Sequence, residues 1–352
     1  MGSAAGTPRF DVGVLGATGM VGQQFIVQLA RHPWFRVTWL GASQRSEGHK
    51  YRDLTWRLPT PMPEDVADLT VEQAVPGHAP RLVFSALDAN VAGEIEQMFA
   101  AAGHIVVSNA RNHRMDPLVP LLVPEINADH LKLVAAQQKA KGWSGAIVTN
   151  PNCSTIFLSM ALAALRQFNP TAVSVTTLQA VSGAGYPGVA SLDILGNVVP
   201  FISGEEEKLE SETRKILGSL KNGQVESHSM VVSAQTTRVP VANGHTEMIG
   251  VRFEHTPPQE DVLRAFGSFC GRPQQHRLPT APLKPIIYMN EANRPQPKLD
   301  VEREGGMAVF IGRLRPCPLL DYKFVALGHN TVRGAAGAAV LNAELMAAEG
   351  II

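Results

Sequence analysis

The sequence predicts an α/β chain in two parts: a doubly wound parallel sheet over about residues 1–150, then an α+β domain with a mixed sheet over 151–330. Three observations carry this reading. A chain of 352 residues favours two domains over one. Short apolar runs alternate with helical patterns up to residue 150. Beyond it the strands lengthen and alternate only partially, with two helical patterns among them.

Each element follows from its own stretch. "FDVGVLGATGMVGQQFIVQLARHPWF" reads as an apolar strand, a glycine turn and an amphipathic helix, and "FRVTWLGAS" as a second strand. "PRLVFSAL" and "HIVVSNA" are further strands, with the helical "NVAGEIEQMFAAAG" between them. "DHLKLVAAQQKAKG" is a helix, and "SGAIVTN" is the strand that delivers the chain to Cys153. In the second part, "AVSVTTLQAVSG", "SHSMVVSAQTTRVPV", "TEMIGVRFE", "GMAVFIGRLRP" and "DYKFVALGHN" are strands. "GEEEKLESETRKILGSL" and "QEDVLRAFGSFCG" are the helices. The proline-rich "QQHRLPTAPLKPIIYMNEANRPQPKLD" reads as a loop. The alanine-rich segment from Thr331 to residue 352 reads as one long helix returning to the first domain.

Composition narrows the function classes. The chain is 45% hydrophobic and 18% charged, enough to bury a core, and its formal net charge of zero argues against nucleic acid or an anionic membrane as partner. Cys153, Cys270 and Cys317 are odd in number and far apart, which suits a reducing compartment rather than a disulfide framework. The opening "MGSAAGTPRF" has no basic-then-apolar leader, and Gly6 stands where acylation at Gly2 wants Ser or Thr. No stretch is apolar enough to span a bilayer, so a cytoplasmic location is expected, and no metal.

"GATGMVG" places Gly16, Gly19 and Gly22 between a strand and a helix. Glycine there lets the backbone approach a pyrophosphate, which the helix N-terminus attracts. The first domain is therefore expected to be Rossmann-like. An NAD site usually has an acid at the tip of the second strand for the ribose 2′-hydroxyl. Here "GASQRS" offers Ser43, Arg45 and Ser46 instead, which suits a 2′-phosphate, so NADP is expected.

"NPNCS" puts Cys153 between a strand and the apolar run "STIFLSMALAAL", at the start of a helix. The macrodipole and free N–H groups there stabilise a thiolate and a neighbouring oxyanion. Cys270 and Cys317 have no such setting and are expected in cores. A reactive cysteine needs a base, and "RVPVANGHTEMIG" supplies His245 after an Asn-Gly turn, with Arg238 seven residues earlier. A solvated turn is the alternative reading of that histidine.

"GATGMVG", "NPNCS", "SGAGYPG", "EEEKLESETRKILG", "RVPVANGHTE" and "HNTVRGAAG" occur in this order over nearly the whole chain. Together they resemble the aspartate-β-semialdehyde dehydrogenases, in the branch found in archaea and fungi. The resemblance implies a reaction linking L-aspartate 4-semialdehyde, phosphate and NADP⁺ to L-4-aspartyl phosphate and NADPH, within biosynthesis of the aspartate-family amino acids. It implies Cys153 as nucleophile, His245 as general acid/base and Gln179 as the residue orienting the intermediate. It implies Arg238 on the substrate carboxylate, Glu205 on its ammonium, Lys208 with Arg114 on phosphate, and Asn152 in the substrate site. For the cofactor it implies Gly16, Thr18, Gly19, Met20, Val21, Gly22, Ser43, Arg45, Ser46, Ser85, Ser182, Gly183 and Asn330. Arg111 departs from the expected pattern, a second arginine where a small residue is expected. No carboxylate that would orient His245 is evident. A homodimer built on the second domain's sheet, or a tetramer of two such pairs, also follows from the resemblance.

Two kinds of rival remain. A malonyl- or succinyl-CoA reductase shares the scaffold, as more distantly does an N-acetyl-glutamyl-phosphate reductase. The set Glu205, Lys208 and Arg238 favours a small zwitterion plus phosphate over these. A non-catalytic NADP-binding sensor would have no use for a cysteine, a histidine and anion-binding residues together.

Overall fold

The computed structural model describes residues 10–352. The N-terminal stretch read above for a leader and an acylation site lies outside the described residues, apart from Phe10. The chain divides into two compact units: residues 1–120, 131–150 and 339–352, and residues 121–130 with 151–338.

The first unit holds a six-stranded parallel sheet in the order β3-β2-β1-β4-β5-β6. Its strands are β1 (Phe10–Leu15), β2 (Phe35–Ala42), β3 (Val71–Gln73), β4 (Leu82–Ser85), β5 (Ile105–Ser108) and β6 (Ala146–Thr149). β4, β5 and β6 are buried along their whole length, as continuous apolar runs covered on both faces should be. Helices α1 (Met20–Leu29), the one-turn α2 (Glu64–Ala67), α3 (Ala89–Ala101) and α5 (Leu133–Lys141) complete the alternation. The short α4 (Pro124–Asn127) belongs to the second unit. The chain runs from β1 to β2 on one side and on to β4 on the other. The turn after β1 is therefore the topological switch point, where doubly wound sheets hold their ligands.

The second unit is built on a mixed sheet in the order β10-β7-β11-β14-β13-β12. Its strands are β7 (Pro170–Gln179), β10 (Val231–Arg238), β11 (His245–Phe253), β12 (Ile286–Met289), β13 (Val309–Pro316) and β14 (Tyr322–Gly328). β10 and β12 pair in parallel at the two edges and the inner pairs are antiparallel. Helix α6 (Cys153–Ala164) is buried on nearly every side and packs on β11, β13 and β14, so its lack of an amphipathic stripe follows from burial all round. The one-turn α7 (Ser191–Ile194), α8 (Glu205–Ile216), α9 (Gln259–Ser268), α10 (Arg272–His276) and α11 (Pro297–Asp300) follow, with a two-stranded ribbon of β8 (Ser219–Lys221) and β9 (Gln224–Glu226).

Three expectations need correction. The proline-rich stretch from Gln274 is not all loop: Ile286–Met289 forms edge strand β12, and α10 and α11 flank it. Four residues closely preceded by prolines give too little periodicity to announce a strand, and a parallel partner, β13, supplies it instead. Cys270 is exposed and Cys317 half-buried, so neither is a core residue. Each sits just past the end of an element, α9 and β13 respectively, where the chain is leaving the packed layer. The final segment opens as a π-helical turn, Val332–Ala336, before the α-helix α12 (Gly337–Ala348) begins. Within the first unit that helix is tied by Glu344 to His32 (2.6 Å) and by Asn342 to Asn150 (2.6 Å).

Candidate active site

The glycine turn of the first unit is shaped by two close approaches. Gly16 has φ +72°, and a Cβ there would lie 2.6 Å from the Ala86 carbonyl oxygen. A Cβ on Gly22 would strike the Gly16 oxygen. Gly19 caps α1 with extended backbone, its N–H donating to Gly16 at 3.1 Å. Thr18, just before the cap, and Met20 and Val21, in the first turn, are half-buried; that turn holds no acidic residue, so its free N–H groups suit an anion. At the end of β2, Ser43 and Arg45 are exposed and Ser46 closes a turn onto the Ser43 oxygen (2.9 Å). No carboxylate stands among them, a donor set that fits a 2′-phosphate.

Ser85, at the end of β4, is fully buried and its hydroxyl donates to Glu96 Oε1 (2.6 Å), as does Ser108 at the end of β5 (2.6 Å). Any contact of Ser85 with a cofactor thus falls to its backbone. Burial pushes the Glu96 carboxyl up, against the two hydroxyls and the Arg114 charge. The loop after β5 separates the two arginines of "ARNHR": Arg111 is exposed, whereas Arg114 is buried and donates to the Asn109 oxygen (2.9 Å).

In the second unit Cys153 is the first residue of α6, half-buried. Asn152 caps the helix, its Oδ1 accepting from Ser154 N (3.1 Å) and Thr155 N (3.3 Å). Its backbone N–H donates to Glu212 Oε2 (2.6 Å) and its Nδ2 to Glu205 Oε2 (2.7 Å). The π-helical turn passes close by: a Cβ on Gly334 would lie 2.7 Å from the Cys153 Cβ. Only glycine lets the backbone run there.

The register of the mixed sheet assembles the other side chains. Arg238 pairs with Gln179 and His245 with Gly328, all at one end of the face covered by α6 and α8. Gln179 Nε2 donates to Ser154 Oγ (2.6 Å) and Glu205 Oε2 (3.2 Å). Arg238 Nη1 donates to the Ala180 oxygen (2.7 Å). His245 Nδ1 accepts from the Ala180 N–H (3.0 Å). A backbone amide, then, rather than a carboxylate orients the imidazole, and the neutral ring carries its proton on Nε2. Complete burial, with the Arg238 charge next, pushes the His245 pKa down to about 3. Burial also lowers Arg238, opposed by Cys153 and Glu205.

Glu205 is the hub. Burial raises its carboxyl, but Lys208 and the hydrogen bonds from Lys208, Asn152 and Gln179 outweigh that and hold it below the usual range. Lys208 Nζ sits 2.5 Å from Glu205 Oε1 and remains partly exposed. Asn330, two residues before the π-helical turn, is held at both ends of its amide: Nδ2 donates to Ser182 Oγ (2.8 Å) and Oδ1 accepts from Gly244 N (2.8 Å). It braces the Ser182–Gly183 turn against the turn that leads into His245.

The structure therefore brings Cys153, Asn152, Gln179, Glu205, Lys208, Arg238, His245, Ser182, Gly183 and Asn330 into one unit. The glycine turn, the β2 tip, Ser85 and Arg114 lie in the other. Sequence reasoning missed Ser154, Glu212 and the Ala180 amide. Glu212 was legible as the residue seven after Glu205 on the same face of a helix; the amide leaves no mark in a sequence.

Comparison with known proteins bears on both units. A family model described as semialdehyde dehydrogenase, NAD binding domain, matches residues 11–134, and one described as semialdehyde dehydrogenase, dimerisation domain, matches residues 162–333. The aspartate-semialdehyde dehydrogenase of Archaeoglobus fulgidus is 48% identical over 98% of this chain and 100% of its own length. That of Cryptococcus neoformans is 48% identical over 98% of this chain and 99% of its own. The crystal structure of aspartate semialdehyde dehydrogenase with NADP from Candida albicans superposes with a TM-score of 0.91, at 43% identity, covering 98% of this chain and 100% of that one.

Proposed function

The chain belongs to the aspartate-semialdehyde dehydrogenase family, and from that premise we propose how its residues divide the reaction between L-aspartate 4-semialdehyde, phosphate and NADP⁺ on one side and L-4-aspartyl phosphate and NADPH on the other. The observation that carries the reading is Cys153 at the capped start of α6, beside a row of Arg238, Gln179 and His245. The Cys153 thiolate adds to the aldehyde carbon, and the helix N–H groups stabilise the oxyanion that forms. His245 works through Nε2, which bears the proton in the resting ring and donates to the oxygen of the hemithioacetal. Gln179, held by Ser154 and Glu205, turns a free Oε1 toward the same adduct.

The glycine turn of Gly16, Gly19 and Gly22 with Ser43, Arg45 and Ser46 would hold NADP⁺, which would supply the hydride acceptor for oxidation of the hemithioacetal to a thioester. Arg238 keeps donors beyond Nη1 for the substrate α-carboxylate, a planar task for a fork. Glu205, ionised, meets the α-ammonium. Lys208 and Arg114 hold the incoming phosphate, a tetrahedral anion that a compact ammonium serves as a point charge. Phosphate attacks the thioester, and the Cys153 thiolate leaves readily where an alkoxide would not.

The match of the second unit to a dimerisation domain supports a homo-oligomer. We propose pairing through the outer face of the mixed sheet, where Met248 is exposed and a cavity of about 510 Å³ is lined by Thr246, Met248, Gly250 and Val325. No helix among the described residues is long and apolar enough to cross a membrane; a cytoplasmic enzyme is the reading we adopt.

The test is NADP⁺ reduction with the semialdehyde, with and without phosphate, on the wild type and Cys153→Ser. Loss of turnover by several orders of magnitude with NADPH binding retained is expected. Full activity in the variant, or turnover that needs coenzyme A and not phosphate, would overturn the reading.

A further inference from the structure

Directly beneath the row that carries Gln179, Arg238 and His245 lies a second row that the reaction as described does not use. On β10, β7, β11 and β14 the register sets Thr236 against Thr177, Thr177 against Glu247, and Glu247 against Ala326. Side chains two residues apart on a strand share a face, so these stand on the same side as Arg238, Gln179, His245 and Gly328. The row below is Ala234, Val175, Ile249 and Phe324, which is apolar and part of the core. Glu247, Thr177 and Thr236 are each 0% exposed.

None of the polar side-chain atoms of these three residues has a hydrogen-bond partner among the described residues: Thr236 Oγ1, Thr177 Oγ1 and both oxygens of Glu247 are unpaired. Native interiors leave few such groups unsatisfied, and four polar atoms in one row are the setting that retains buried water. Burial, with no opposing charge among the described residues, raises the Glu247 carboxyl well above the ordinary range. An ionised, unpaired carboxylate there would be prohibitive, whereas a neutral acid offers one donor and spare acceptor capacity. The orphaned atoms of the row above, Gln179 Oε1 and His245 Nε2, are those that the proposed reaction turns toward the substrate.

Resting on the roles proposed for Gln179 and His245, we propose that Glu247 is a positioning residue: with Thr177 and Thr236 it forms a neutral, water-closed hydrogen-bonded floor that holds β7 and β11 at the spacing the catalytic row requires. It touches no substrate. Its neighbours along β7 and β11 are the residues that do, Gln179 two positions from Thr177 and His245 two positions from Glu247.

The experiment compares Glu247→Gln and Glu247→Met in the full-length enzyme. Gln keeps a donor and an acceptor without charge, so its kcat should stay within about threefold of wild type. Met fills the space but gives the threonines nothing; its kcat should fall at least tenfold with KM for the semialdehyde little changed. Its urea midpoint should fall, because the two threonine hydroxyls are left buried without a partner. A loss confined to kcat at unchanged KM, and absent from Glu247→Gln, separates positioning from a merely structural role. In infrared spectra at neutral pH, wild type minus Glu247→Gln should show the carbonyl stretch of a protonated carboxyl.

Wild-type kcat in Glu247→Met would overturn the proposal, as would loss in Glu247→Gln equal to that in Glu247→Met. Should Glu247→Met not fold, absence of the protonated-carboxyl band would overturn it, and its presence with an active Glu247→Gln would support it. If Cys153→Ser remained active, the reading of the site would fall first, so the two failures are distinguishable.

Discussion

A single methyl group tests whether Arg238 and His245 converge where the structure has them. Gly183 lies in the turn Val181–Ala184, outside the left-handed region, so alanine meets no backbone strain there. A Cβ at this position would lie 2.8 Å from Arg238 Nη1 and 3.0 and 3.1 Å from His245 Cε1 and Nε2. Neither neighbour is loose, because both are tied to Ala180, Nη1 at 2.7 Å and Nδ1 at 3.0 Å. Unstrained carbon contacts begin at about 3.5 Å, so both side chains must give by roughly half an ångström. Overpacking of this kind costs about 1–3 kcal/mol. If the site absorbs it, kcat/KM for the semialdehyde falls by roughly 5- to 150-fold, at about 1.4 kcal/mol per tenfold. Steady-state kinetics of Gly183→Ala, with a urea titration beside them, measure this. The control is Gly267→Ala in α9, where a Cβ meets nothing within 4 Å. It should gain about 0.4–1 kcal/mol of stability and leave the kinetics unchanged. Gly183→Ala turning over at the wild-type rate would refute the convergence.

Arg45→Ala should weaken NADP⁺ about ten- to a hundredfold, the loss of one charge-assisted contact worth about 1.5–3 kcal/mol, and leave NAD⁺ unaffected; equal loss for both, by fluorescence titration, would free Arg45 of the 2′-phosphate. Lys208→Ala should raise KM for phosphate more than KM for the semialdehyde, and Arg238→Ala should do the reverse and also lower kcat, with arsenate tracking phosphate in both. Acid should weaken the fold through His245. Its native pKa is depressed to about 3 from 6.5, so between those values the unfolded chain binds the extra proton and stability falls as pH falls. Glu205, also depressed, loses its share in the same direction, below the usual carboxylate range. Urea midpoints at pH 7 and 4.5 should therefore differ less in His245→Gln than in the wild type, and an unchanged difference would count against a neutral buried imidazole.

The electrostatic design explains why the imidazole is kept neutral. Arg238 is buried beside it, and a second cation there would repel Arg238 and, on the roles proposed above, the substrate ammonium as well. The Ala180 amide settles the matter with one hydrogen bond, since a nitrogen that accepts from a backbone N–H is a poor place for a proton. Glu205 supplies the negative charge instead, and it does so from a helix start shared with Lys208, where its oxygens already accept from three residues.

The first sheet was legible because each of its long elements announces itself locally. "FDVGVL" and "LVFS" are apolar runs ended by turn chemistry, and the missing acid after Ala42 is a property of the sequence alone. β3 and β12 were not: β3 has only three residues and β12 follows closely spaced prolines, so each is specified by the strand it pairs with. In the site, the same division holds. Cys153 could be placed at a helix start from "NPNCS" because a strand, a cap residue and an apolar run are consecutive. His245 could be named and not oriented, for the amide that orients it sits 65 positions earlier, just past the end of β7. The row of Thr236, Thr177 and Glu247 was hidden for the same reason. Each is unremarkable on its own strand, and three polar residues become one layer only when register sets two parallel strands and one antiparallel strand side by side. Register, a pairwise property of distant segments, is therefore what separates the chemistry readable in this chain from the chemistry that had to be seen.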